Sequence, residues 1–180
     1  MDLTEKKVSS RQVFDGVVVK LFVDEVELPN GNKSVREVVR HPGAVCVIPV
    51  TDEGEVIMVR QFRYAFGQVL LEIPAGKLEP GEDPLRAALR ELEEETGTVA
   101  EKIEHIGELY TTVAILDEKI HMYLATGLTC KNAHPDEDEF LEVEKIPLPT
   151  LVDMVMRGEI KDSKTQVAIL KAHKILSERK

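Results

Sequence analysis

The sequence predicts an α/β (α+β) fold, a mixed β-sheet with helices packed on it, and three observations carry the prediction. Strand-like, β-branched runs crowd the first half of the chain, one well-capped helical stretch falls between strands at residues 83–97, and two helical stretches follow near the C-terminus. At 180 residues, with 43% hydrophobic and 31% charged residues, the chain is long enough for one sizeable core and too apolar for a disordered tail. A net charge of −10 argues against a general electrostatic grip on nucleic acid or on an anionic membrane, so any polyanionic substrate must be met by local cations. Cys46 and Cys130 lack paired spacing, and neither a signal peptide nor a membrane-spanning apolar stretch is seen. The expectation is a soluble, cytoplasmic protein.

The elements follow in order. Residues 17–26, VVVKLFVDEV, and residues 33–40 flank the turn chemistry of Pro29, Asn30 and Gly31 and read as a hairpin. AVCVIPV and EVIMVRQFRY flank Asp52, Glu53 and Gly54 and read as a second, more buried hairpin. A strand at residues 68–73 leads into the Gly- and Pro-rich loop PAGKLEPGED. Asp83 is then a good N-cap, Pro84 a good first helical residue and Gly97 a stop, with Leu85, Leu89 and Leu92 at helical spacing between them. Further strands are expected at residues 103–110, 119–125 and 140–143, then helices at 148–156 and 163–177. In the last, Ala168, Ala172 and Ile175 share a face with Ile169 and Leu176.

At about 100° per residue, the three leucines of the 83–97 helix form a core stripe, while Glu91, Glu94 and Glu95 fall on an adjacent strip. Carboxylates three and four positions apart repel, and those in the last turn also face the negative end of the helix dipole. A solvated charged face is the common explanation of such a run. A hard cation is the other: magnesium takes oxygen ligands and is shared between a few carboxylates and the phosphates of a substrate.

The wider segment bears on the choice. Gly76, Glu82, Arg90-Glu91-Leu92, Glu94-Glu95 and Gly97, at their spacings over residues 76–97, resemble the Nudix box of hydrolases that act on a nucleoside diphosphate linked to another moiety. Thr98 stands where that family usually has an aliphatic residue. The resemblance implies a Nudix αβα sandwich with a mixed sheet, and Mg²⁺ as the cofactor, with Mn²⁺ as a substitute. It implies Glu91 and Glu95 as metal ligands, the Ala75 carbonyl as a further ligand, and Glu94 either touching the metal or just behind it. Gly76 and Gly81 let the loop fold back over the helix, and Glu82 supports it by pairing with Arg90. For Arg90, a simple intrahelical pair with Glu94 is an equal reading.

Outside the box, HPGAVCVIPV, VRQFRYAFGQVLLEIPAGKLEPGE, DEKIHMYLA, DEDEFLEVE and GEIKDSKT are similar to segments of the ADP-ribose pyrophosphatase group. That likeness implies an N-terminal antiparallel β-hairpin extension over residues 1–42, exchanged across a homodimer whose subunits share the pocket, and a hydrolase domain over residues 43–180. It implies Glu137 as general base and Glu139 as an additional metal ligand, with Glu118 as the rival base. The catalytic set is then Glu137, Glu94 and Arg90. Where the group usually carries a Ser-Pro-Gly-like loop, this chain reads Thr112-Val113-Ala114, in the loop that shapes the terminal-ribose side of the pocket.

Arg63, Arg60 and Arg36 are candidate phosphate-binding residues, since a guanidinium bridges phosphate oxygens with two donors. Surface charge at strand ends is the competing reading, of most weight for Arg60 and Arg36. Phe14 is read as either an adenine platform or a core residue. The expected activity is magnesium-dependent hydrolysis of ADP-ribose to AMP and ribose 5-phosphate. A related nucleoside diphosphate sugar such as GDP-mannose, or a non-catalytic ADP-ribose-binding sensor, remain alternatives.

Overall fold

A computed structural model describes residues 2–130 and 140–179. The chain divides into two compact units, Met1–Gly43 with Tyr110–Lys119, and Ala44–Leu109 with Ile120–Lys180.

The first unit holds an antiparallel three-stranded sheet in which β1 (Lys6–Asp15) pairs β2 (Lys20–Glu27), and β2 pairs β3 (Lys33–Arg40). The β2–β3 hairpin turns where Pro29, Asn30 and Gly31 predict it. β1 was not foreseen: all ten of its positions are exposed, so it has no apolar alternation to announce it. Residues 110–119 are stitched to β3 by Val39 N–H to the Ile115 carbonyl at 2.7 Å and by Asp117 N–H to the Val39 carbonyl at 3.2 Å.

Among its described residues the second unit contains two sheets. One runs β7 (Ala75–Lys77), β4 (Ala44–Pro49), β9 (Lys119–Cys130), β8 (Thr98–Tyr110); the other runs β10 (Leu141–Pro147), β5 (Glu55–Arg63), β6 (Gln68–Glu72). β4 and β5 were expected to form a hairpin and do not. The turn between them closes by Thr51 N–H to the Glu55 carbonyl at 2.8 Å, but beyond the isolated Val50–Val56 bridge each strand enters a different sheet. β4 is buried at every position because it lies between β7 and β9, pairing parallel to β9, which is also why its sequence is continuously apolar.

Alternation along the central strands sets up two core layers. Val45, Val47, Tyr123 and Ala125 face helix α1 (Pro84–Thr96), packing with Ala87, Ala88 and Leu92. Cys46, Ile48, Met122 and Leu124 turn the other way and pack with Leu151 of α2 (Leu148–Met156) and Ile169 of α3 (Ser163–Glu178). This is helix on sheet on helix, as the resemblance implied. No helix among the described residues is long and apolar enough to cross a membrane.

α1 forms where its end signals place it. The Asp83 carboxylate accepts the Arg86 N–H at 3.1 Å, Pro84 opens the first turn, and Gly97, at φ 63°, donates its N–H to the Glu93 carbonyl at 2.9 Å. Its orientation corrects the sequence reading. Leu85 and Leu89 are 41% and 37% exposed, so the three leucines are not the core stripe. The buried face is Ala88, Glu91, Leu92 and Glu95, flanked by Ala87. The helix thus turns Glu91 and Glu95 inward and leaves Glu94 at the edge of that face.

Candidate active site

Glu91 and Glu95 are 9% and 4% exposed, an unusual burial for carboxylates. The surface they meet is the short strand β7. It runs antiparallel to β4 in the register Cys46↔Ala75, Val45↔Gly76, with Val47 N–H donating to the Pro74 carbonyl at 2.9 Å just before it. Ala75 donates its N–H to Glu95 Oε2 at 3.1 Å. Gly76 lies so close to Glu91 that a Cβ there would fall 1.8 Å from Oε1 and 2.0 Å from Cδ. The first box glycine therefore serves close approach, whereas Gly81, at φ 78°, serves the turn that precedes α1.

Arg90 settles the pairing of the remaining carboxylates. Its Nε and Nη2 donate to Glu82 at 3.0 and 3.1 Å, and its Nη1 donates to Glu91 at 2.9 Å and Glu94 at 2.8 Å. Both readings of Arg90 hold together. The Glu82 bond, then those to Glu94 and Glu91, hold the guanidinium well above its usual range, and the bonds from Arg90 and from the Glu79 N–H lower the Glu82 carboxyl. Three carboxylates, Glu82, Glu91 and Glu94, thus converge on this one guanidinium, and Glu95 lies on the same buried face of the helix.

That convergence of carboxylates, an all-oxygen donor set on rigid elements, fits a hard divalent cation. Among the described residues no three His, Cys, Asp or Glu side chains form a ready-made cation cage. Magnesium does not need one, since it keeps several waters and takes one or two carboxylates with substrate phosphates. Cys46 offers no competing nucleophile: it is buried, and burial pushes its thiol up to about 12.

Beside the cluster lies a second network that the sequence reading missed. Glu72, the last residue of β6, is 2% exposed and receives Arg63 Nε at 2.6 Å and Nη2 at 2.8 Å. Lys164, in the first turn of α3, reaches the same carboxylate at 2.5 Å and Asp162 at 3.0 Å. Burial would raise the Glu72 carboxyl, but the bonds and charges of Arg63 and Lys164 outweigh it, leaving Glu72 below its ordinary value. Burial alone would likewise lower Lys164, and the Asp162 and Glu72 charges raise it instead. Arg63 is raised chiefly by its Glu72 bond, with smaller contributions from Asp162 and Glu95, so it stands within the field of the box carboxylates. The only signals in the sequence were a glutamate inside the apolar run QVLLEI and a lysine in DSKT.

The other expected residues are distributed as follows. Arg60 lies on β5 with Nε 2.5 Å from Glu144 Oε1, a contact without hydrogen-bond geometry. Phe14, Arg36 and Glu118 belong to the first unit. Phe14 is 56% exposed, so packing within the chain does not account for it, and Arg36 Nη2 pairs with Glu5 at 2.5 Å. Glu118 Oε2 accepts the Thr111 hydroxyl at 2.8 Å, and with Thr112, Val39 and Leu116 it lines a cavity of about 300 Å³ in that unit. Glu137 and Glu139 lie outside the described residues.

Comparison with known proteins agrees with this geometry. The NUDIX domain family matches residues 40–166, and a nucleoside diphosphate sugar hydrolase N-terminal domain matches residues 5–39. An ADP-ribose pyrophosphatase of Bacillus subtilis (strain 168) is 49% identical over 169 residues, covering 93% of this chain and 91% of that protein. A methanol dehydrogenase activator of Bacillus methanolicus is 49% identical over 167 residues, 92% of this chain and 90% of its own. A crystal structure of an ADP compounds hydrolase superposes with a TM-score of 0.89 at 22% identity, covering 99% of this chain and 98% of the other, which shows a shared fold.

Proposed function

Because this chain belongs to the NUDIX family, we propose that it hydrolyses the diphosphate of ADP-ribose, with Mg²⁺, to AMP and ribose 5-phosphate. The observation that carries the reading is the burial of Glu91 and Glu95 against Ala75 and Gly76, a cost that a carboxylate cluster bears where a cation is to be held. Glu91, Glu95 and the Ala75 carbonyl are the protein ligands, joined by Glu139, and Glu94 stands beside them. An ion held there would lower the pKa of a water and offset charge on the phosphates.

The chain's own residues do the rest. Arg90 fixes Glu91 and Glu94 in place and ties α1 to Glu82 in the loop. Arg63 presents a guanidinium to the diphosphate, with Arg60 and Arg36 as further cations, and Phe14 stacks on the base. Glu137 takes the proton as water adds to one phosphorus, while the bridging oxygen departs with the other phosphate; Glu118 is the rival for this task. The subunits pair as a homodimer through the extension of residues 1–42, sharing the pocket, and the two free cysteines suit a reducing cytoplasm.

Turnover of ADP-ribose with Mg²⁺, with AMP and ribose 5-phosphate identified by mass spectrometry, tests the proposal. A matched panel including GDP-mannose decides the sugar, and binding of ADP-ribose without cleavage would support the sensor alternative instead. The equal identity to a dehydrogenase activator supports a second reading, in which the protein raises the rate of a methanol dehydrogenase. That rate, measured with and without the protein, tests it.

A further inference from the structure

Lys164 and Thr165 connect the start of α3 to two consecutive residues ahead of the box strand. Lys164 Nζ meets the Glu72 carboxylate at 2.5 Å, and Ile73 donates its N–H to Thr165 Oγ1 at 3.0 Å. Both α3 residues are themselves fixed by Asp162, whose Oδ2 accepts the Thr165 N–H at 3.0 Å and its hydroxyl at 2.6 Å and lies 3.0 Å from Lys164 Nζ. Lys164 is nearly buried and Thr165 fully so, which leaves this junction little room to rearrange. Glu72 then holds Arg63 with two parallel bonds, a geometry that fixes the direction of a guanidinium as well as its place. Arg63 Nη1 takes no part in that pair.

From this chain of contacts we infer that Lys164 is a positioning residue for substrate binding: it holds Glu72, and through Glu72 it aims Arg63 at the diphosphate. Without Lys164, Glu72 keeps one cationic partner and gains freedom to turn, and Arg63 turns with it. The inference rests on the proposed role of Arg63, and it assigns Lys164 no contact with the substrate.

The experiment is a double-mutant cycle of Lys164→Met and Arg63→Ala, read as KM and kcat for ADP-ribose at saturating Mg²⁺. Lys164→Met is expected to raise KM by about tenfold, the scale of one lost hydrogen bond to a charged group, with kcat nearly unchanged. In the Arg63→Ala background the same change adds less than about twofold, because the residue it acts through is gone. Lys164→Arg restores most of the affinity. Melting curves check folding, and if Lys164→Met does not fold, Lys164→Gln, which removes the positive charge but leaves a polar group beside Asp162, carries the same comparison through the lost charge. An equal KM effect in both backgrounds overturns the inference by pointing to direct substrate contact. A lowered Tm with unchanged KM overturns it by pointing to a structural role alone. In both cases Arg63→Ala still raises KM, so the proposed function stands. If Arg63→Ala leaves KM unchanged, or the wild type does not turn over ADP-ribose, the proposed reading fails and the inference falls with it.

Discussion

Replacing Gly76 with alanine adds one methyl group where the structure has no space for it. The new Cβ would lie 1.8 Å from Glu91 Oε1, whereas real Cβ contacts stay beyond 3.0 Å, so the carboxylate must retreat by more than 1 Å. The retreat is feasible, because the clashing atoms are the end of a side chain, and the cost to folding is that of modest overpacking, about 1–3 kcal/mol. At this chain length that corresponds to a fall in Tm of roughly 2–12 °C. The cost to catalysis is larger. A metal ligand must keep its distance within about 0.2 Å, and a misplacement of about 1 Å in a catalytic arrangement costs on the order of 100-fold. Steady-state turnover of ADP-ribose with Mg²⁺, alongside calorimetric melting, separates the two effects. A folded variant with kcat/KM within about threefold of wild type would refute the reasoning, because Glu91 would then work from a position that the structure does not contain.

The remaining predictions concern the helix face and the buried ion network. Leu92→Ala should destabilise the protein by about 2–5 kcal/mol, since Leu92 is fully buried, whereas Leu89→Gln should cost far less, since Leu89 is 37% exposed; equal costs in urea unfolding would contradict the orientation given to α1. Glu72 has its carboxyl lowered in the folded state, so it contributes stability above the unfolded value of about 4.3 that is lost as pH falls through the folded one. Glu72→Gln should therefore melt lower at pH 7 and lose less on acidification, and parallel Tm profiles between pH 7 and 3 would argue against that contribution. Lys164, raised by its carboxylate partners, contributes stability that is complete below about pH 10.4 and declines as pH rises through its folded value, which the alkaline limb of the wild-type profile should show.

Much of α1 was legible because its signals are local. Asp83, Pro84 and Gly97 act within a turn of their own positions, and the helix ends where they place its ends. Its facing was not legible, because three leucines outweigh Ala87 and Ala88 in any hydrophobic pattern, and nothing local says that Glu91 and Glu95 point inward. The resemblance implied the Glu82–Arg90 pair and the i, i+4 spacing offered Glu94 as its competitor; the structure joins both pairings in one cluster and adds Glu91, which neither reading contained. β1 carries no sequence signal because an exposed strand has no buried face to impose alternation, and β4 and β5 read as a hairpin because a turn fixes the reversal of the chain but not the sheet each arm enters. Lys164 and Glu72 meet across 92 positions of sequence, a distance over which one sequence carries no pattern.

The central claim is that the buried carboxylates of α1 hold divalent ions together with a diphosphate. Manganese binding followed by electron paramagnetic resonance, with ADP-ribose present at low temperature, tests it most directly in the wild type, Glu91→Gln and Glu95→Gln. The expected result is saturable binding by the wild-type protein, weakened at least about tenfold in each variant. Equal affinity in all three proteins would contradict the claim.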